Sequence, residues 1–255
     1  MVRRIIRAVV VPVALIHIVA GEGAAQTAEQ IVKRSEDLLK GVSSKGRFRM
    51  TIVTPDYTRS MEMRAWWVGN QKALIEITSP RREAGNKTLK VNNELWMYLR
   101  NTETTIKIPP SMMLQSWNGS DFTNDDLVRE SSLVEDYTMR IAAEETVDGE
   151  LCWKIELLPK PTAPVVWGRI FHWIRKKDLL PARTEYFDEK GALMRTMLYQ
   201  NVKRFGNRAV PSNWLMVNNT KPNHSTEFQY LEAQFDIPLS DRIFSFQELE
   251  KGRNR

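Results

Sequence analysis

The sequence predicts a mainly β fold with a few helices, in which a strongly curved antiparallel sheet wraps around helical segments. Three observations predict it. Apolar and polar residues alternate with a period of two along most of the chain, the pattern of strands with one face turned inward. Gly, Asn, Asp and Pro interrupt that pattern at short intervals, as a meander of tight turns requires. One early stretch repeats apolar residues at helical spacing, and one long segment, between Pro109 and Tyr137, breaks the alternation.

The chain opens with the layout of a signal peptide. Arg3, Arg4 and Arg7 form a positive region, and an apolar run from Ala8 to Ala20 follows, interrupted by Pro12 and His17. Gly23 and Ala25 stand at the −3 and −1 positions of a cleavage site before Gln26. The run is about 13 residues, short of the roughly 20 needed to span a bilayer, so cleavage is expected rather than anchoring. Residues 1–25 are therefore read as a leader and 26–255 as a single domain, since no low-complexity linker or fixed-period repeat divides it. The single cysteine, Cys152, lies far from the cleavage site, which excludes both a lipidated N-terminal cysteine and an internal disulfide. Alternating with Trp153 in an apolar strand, it is expected to be buried.

The first mature element is a helix. Thr27 is its N-cap and Gln30, three residues on, completes a capping box. Ala28, Ile31, Ser35, Leu38 and Leu39 mark one face, and Gly41 closes it. Strands follow. Phe48, Met50 and Ile52 alternate with Arg47, Arg49 and Thr51, and Pro55-Asp56 turns the chain. Met61, Met63, Ala65 and Trp67 share the next face, Gly69-Asn70 turns, and Ala73, Ile75 and Ile77 run to Pro80. Leu89 and Val91 lead to an Asn92-Asn93 turn. The strand that follows is apolar on both faces, with Leu95, Met97 and Leu99 against Trp96 and Tyr98. Ile106 and Ile108 end at Pro109-Pro110.

After the insertion, in which Thr123 can cap a short helix, strands resume at Leu151–Leu157, Trp167–Arg175, Thr184–Phe187, Leu193–Tyr199, Ala209–Val217 and Thr226–Phe235. The end is expected to tuck Ile243 or Phe244 against the sheet. One helix, about eleven strands and a central insertion describe a half-barrel. Its interior is either a hollow that the helices fill in part or a solidly packed core; the alternation admits both.

Several functional classes are disfavoured. The three histidines are His17, His172 and His224, and the first leaves with the leader. No nucleophile elbow, zinc-protease motif or cysteine pair is present, so neither catalysis nor a metal nor a cofactor is expected. Removing Arg3, Arg4, Arg7 and Glu22 with the leader leaves 34 basic and 30 acidic residues, intermixed along the strands. That mixture gives no concentrated stripe for nucleic acid.

The segment from Met113 to Leu127 carries a family resemblance. Its Met-rich start, then Gly119-Ser120-Asp121-Phe122, then a polar pair and an acid before Leu127, resembles the outer membrane lipoprotein-sorting protein family. Leu95–Leu99, Ile106–Pro109 and the closing Asp241–Phe244 are similar to it as well. The family is similar in fold to the periplasmic carriers LolA and LolB. The resemblance thus implies an unclosed β-barrel with a helical lid over an apolar cavity, and a periplasmic carrier that passes a lipid or the acyl chains of a lipoprotein between envelope membranes. It implies as partners an inner-membrane exporter or lipid-releasing complex and an outer-membrane acceptor, with the carrier itself a monomer. The alternative is a lipid-sensing or exporter-accessory protein that contacts a membrane-bound partner.

On this reading the candidate cavity residues are Phe48, Met50, Met61, Met63, Trp67, Ile75, Leu95 and Met97, because Met and aromatic side chains suit a variable apolar ligand. The candidate lid residues are Met112, Met113, Leu114, Trp117, Phe122 and Leu127. Gly119, Ser120, Asp121 and Phe122 are expected to shape the lid, with Gly119 giving backbone freedom and Asp121 capping nearby N–H groups.

Overall fold

A computed structural model describes residues 26–129, 133–161, 163 and 165–252. The predicted signal peptide lies outside the described residues. The first helix, α1 (Ala28–Lys40), forms as its cap signals require. The Thr27 hydroxyl accepts the Gln30 N–H at 3.2 Å, the Gln30 side chain accepts the Thr27 N–H at 3.1 Å, and the Gly41 N–H returns to the Asp37 carbonyl.

Six strands then run as a meander: β1 (Ser43–Val53), β2 (Thr58–Val68), β3 (Lys72–Ser79), β4 (Lys87–Val91), β5 (Glu94–Leu99) and β6 (Thr104–Lys107). The insertion holds two short helices, α2 (Asn124–Arg129) and α3 (Leu133–Asp136). Seven strands follow: β7 (Tyr137–Val147), β8 (Glu150–Pro159), β9 (Arg169–Arg175), β10 (Pro181–Phe187), β11 (Leu193–Phe205), β12 (Arg208–Asn218) and β13 (Ser225–Phe235). They form one antiparallel sheet in the order β6-β5-β4-β3-β2-β1-β13-β12-β11-β10-β9-β8-β7. The last strand therefore pairs with the first, through Phe48↔Tyr230 and Met50↔Phe228, and joins the two meanders into one curved surface. β6 and β7 are left as its edges, so the barrel is not closed.

Among the described residues there are thirteen strands where about eleven are expected. The main addition is β7, which the alternation does not reveal. It is an edge strand with much of its surface exposed, and a bulge between Ile141 and Ala143 shifts its register against β8.

Both sheet faces are used, as the doubly apolar strands predict. On the concave side, Ile31 and Val32 of α1 are fully buried against β8 and β9 through Ile155 and Ile170. Further along the same side, Phe48, Met50, Met61 and Met63 are buried with Trp117 from the insertion. On the convex side, Phe244 and Leu249 of the C-terminal segment cover Leu74, Leu89 and Tyr98. Lys87 fixes that segment by donating to the carbonyls of Glu248 at 2.8 Å and Lys251 at 3.1 Å. Cys152 is fully buried beside Trp173 and Ala182, and burial raises the pKa of its thiol.

Candidate functional site

The concave faces of β1, β2, β3 and β13 turn toward the insertion and leave a hollow of about 150 Å³ between them. Its wall is an aromatic cluster centred on Phe48. That ring meets Trp67 edge-on at 5.1 Å and Tyr230 at 4.6 Å, and stacks on Phe228 at 5.0 Å. Ile75 and Ala73 of β3 continue the wall, and Trp117, Phe122 and Leu127 of the insertion close it. A smaller hollow of about 90 Å³ lies alongside, beneath β9 to β12. The two share Leu39, Lys40, Asp126 and Trp214 in their linings, so they are neighbouring compartments.

The insertion is a lid with a defined internal structure. Ser116 and Thr123 bridge as in a hairpin, the Trp117 N–H donates to the Phe122 carbonyl at 2.7 Å, and the loop turns at Asn118 (φ 52°) and Gly119 (φ 76°). Two consecutive left-handed residues are what a tight Asn-Gly turn demands, which explains the glycine of the motif. Ser120 secures the loop from within: its hydroxyl donates to the Trp117 carbonyl at 2.7 Å and accepts the Phe122 N–H at 3.2 Å. Thr123 caps α2, with its hydroxyl accepting the Asp126 N–H at 3.2 Å.

Among the polar ties between this lid and the sheet, three use side chains of the lid. The Trp117 indole donates to the Thr88 hydroxyl of β4 at 3.2 Å. Asp121 accepts from Asn218 of β12 at 3.0 Å and from the Thr226 hydroxyl of β13 at 2.8 Å. This corrects the expectation for Asp121. Its carboxylate caps no nearby backbone N–H but spans to side chains of two strands; the acid that accepts a backbone N–H is Asp126, from Thr123 at 2.7 Å. The third tie is a bidentate ion pair between Asp126 of the lid and Arg195 of β11, with one arm at 2.7 Å and both side chains more than 90% buried. The guanidinium also lies 4.5 Å from the ring centroids of Trp167 and Tyr186, so its remaining faces are covered by aromatic rings.

The predicted residues fall into distinct places. Phe48, Trp67 and Ile75 line the larger hollow, as do Trp117, Phe122 and Leu127 from the lid. Met50, Met61 and Met63 lie on the same concave face but are buried with Trp117 rather than bordering the space. Leu95 and Met97 pack with Met112, Met113 and Leu127 where the lid begins. Leu114 is 58% exposed. Sequence reasoning did not single out Arg195, Trp214, Phe228 or Tyr230. The alternation of Phe228 and Tyr230 in the last strand was a usable signal. No local pattern pairs Arg195 with an acid 69 positions away.

The floor of the smaller hollow is polar. His172 Nδ1 lies 2.7 Å from the Thr184 hydroxyl, which donates onward to Tyr199 at 3.4 Å. Complete burial lowers the imidazole pKa from 6.5 to about 4. In the unfolded chain the ring takes its proton near pH 6.5, and in the folded chain it resists until about pH 4. Stability is therefore undiminished above the unfolded value and falls as pH drops through that window, by up to about 3 kcal/mol. His172→Gln keeps a partner for Thr184 and is expected to lose that portion of the acid sensitivity. Urea unfolding of both proteins between pH 7 and 4 checks this; curves that stay parallel throughout would contradict it.

Among the described residues no group of three or more His, Cys, Asp or Glu side chains is placed to hold a metal ion, and no helix is long and apolar enough to cross a membrane.

Comparison with known proteins places this architecture. A family model described as "Uncharacterized protein" matches residues 69–251. No curated protein matches the chain in sequence. A DUF1329 family protein from Desulfovibrio piger superposes with a TM-score of 0.81 at 21% identity, covering 87% of this chain and 97% of that one. A domain assigned to outer membrane lipoprotein sorting, from Vibrio parahaemolyticus, gives 0.77 at 22% identity, covering 88% and 98%. A LolA superfamily protein from Nitrosomonas europaea gives 0.74 at 20% identity, covering 88% and 100%. At these identities the likeness is one of fold.

Proposed function

The chain belongs to the family whose model spans residues 69–251, and its fold is that of the LolA superfamily; from these premises we propose that it is a periplasmic carrier for a lipid or the acyl chains of a lipoprotein. The observation that carries this reading is the aromatic-walled hollow under the sheet, closed by a lid that is itself apolar inward and tied down by polar contacts.

Exposing a chain of about 16 carbons to water costs roughly 13 kcal/mol, at about 0.8 kcal/mol per methylene. Phe48, Trp67, Ile75 and Phe228 can offset that cost without directional bonds, as a shuttle that must also release its cargo requires. A space of about 150 Å³ suits a benzene-sized group. A longer chain needs more room, which withdrawal of Trp117, Phe122 and Leu127 from the same space supplies. Cavity and bilayer are similar solvents for such a chain, so net transfer in one direction comes from an inner-membrane donor and an outer-membrane acceptor.

The reading predicts that the mature protein, delipidated and folded, takes up a fluorescent fatty-acyl probe with saturable, blue-shifted emission, and that unlabelled acyl compounds displace it. Folded protein that leaves the probe in water would rule the carrier out.

A further inference from the structure

We propose that the smaller compartment receives an uncharged, hydroxyl-bearing headgroup belonging to the same amphiphile whose chain lies in the larger one. This rests on the carrier reading and narrows its ligand class.

The two compartments share Asp126 and Trp214 in their linings, so they lie side by side, within the reach of one amphiphile's chain and headgroup. Their linings differ in kind. Where the larger is walled by Phe48, Trp67 and Phe228, the smaller presents Ser35, His172, Thr184 and Tyr199. Ser35 is the telling group. It lines this space from α1, is 1% exposed, and its hydroxyl has no hydrogen-bond partner. A buried hydroxyl left unsatisfied is costly, and a ligand hydroxyl would complete it. In the same lining, the His172, Thr184 and Tyr199 chain supplies a neutral relay of donors and acceptors.

The charges set the class more narrowly. Glu36, Asp125, Asp126 and Asp136 line this space with Lys40, and Arg195, held between the lining rings of Trp167 and Tyr186, pairs with Asp126, so the acids outnumber the bases here. Carboxylates accept hydrogen bonds and repel anions, so the headgroup they favour donates and carries no negative charge. A space of about 90 Å³ has room for a few water-sized groups, as in a glycerol moiety, and not for a large glycan. Trp167, Tyr186 and Trp214 provide ring faces against which the carbon backbone of such a group packs.

The test uses the mature protein loaded with the fluorescent fatty-acyl probe and displaced by three oleoyl compounds: 1-monooleoylglycerol, methyl oleate and oleate. We expect 1-monooleoylglycerol to displace at a concentration about tenfold below methyl oleate and below oleate. Ser35→Ala is expected to reduce its advantage over methyl oleate by about fivefold, the worth of one hydrogen bond. The same variant keeps or raises the melting temperature, because alanine favours the helix and removes the orphaned hydroxyl. Equal displacement by monooleoylglycerol and methyl oleate, an advantage unchanged by Ser35→Ala, or a preference for oleate overturns the headgroup assignment and leaves the carrier reading standing. Failure of all three, or of the probe itself, overturns both.

Discussion

Arg195→Met is expected to destabilise the protein by about 3–5 kcal/mol, the loss typical of breaking a buried ion pair from one side. Asp126 then keeps its contacts with Thr123 but loses both guanidinium arms in a setting where it is only 9% exposed. The double variant Arg195→Met/Asp126→Leu is expected to recover most of this, because the stranded charge is removed along with its partner. Arg195→Lys is expected to behave more like the methionine variant: an ammonium cannot make two parallel bonds to Asp126, nor lie flat between Trp167 and Tyr186. Chemical denaturation gives the stabilities, and hydrogen exchange across Met113–Leu127 separates lid release from global loss. A single variant with wild-type stability and unchanged lid protection would show that the pair does not hold the lid.

Ala73→Phe is expected to cost acyl binding roughly a hundredfold while leaving the fold in place. Ala73 stands on the concave face of β3, at register with Trp67 and Lys90, and borders the larger hollow. A phenyl ring placed there takes the space of about four methylenes, about 3 kcal/mol of transfer free energy. Because the ring enters empty volume rather than packed core, the melting temperature is expected to hold or rise. Titration with the fluorescent acyl probe, beside thermal unfolding, reads both effects. Full binding by a well-folded Ala73→Phe protein would place the ligand elsewhere.

Much of this architecture is legible in the residues. Thr27, Gln30 and Gly41 mark the first helix, and the alternation of Phe48-Met50-Ile52 and Met61-Met63-Ala65 identifies the inward face of the strands that build the site. Asn118-Gly119 marks the turn of the lid. What periodicity conveys is which face a side chain occupies, and not how much space stands before it. Met50 and Phe48 share a face, yet Met50 is fully buried away from the hollow while Phe48 borders it. The ties that span the sheet are equally silent in the sequence. Asp121 reaches Thr226 across 105 positions, and Asp126 reaches Arg195 across 69, with pairings fixed only once β13 docks on β1. The edge strand β7 is hidden for a different reason: polar on its exposed faces and bulged in mid-run, it lacks the alternation by which the other strands are read.

Native mass spectrometry of the gently purified protein bears most directly on whether this interior holds a hydrocarbon chain. The account predicts a one-to-one adduct of lipid mass on the wild type, absent from Ala73→Phe. Wild-type protein that is folded and free of any such adduct, and that stays so after incubation with acyl lipids, would contradict it.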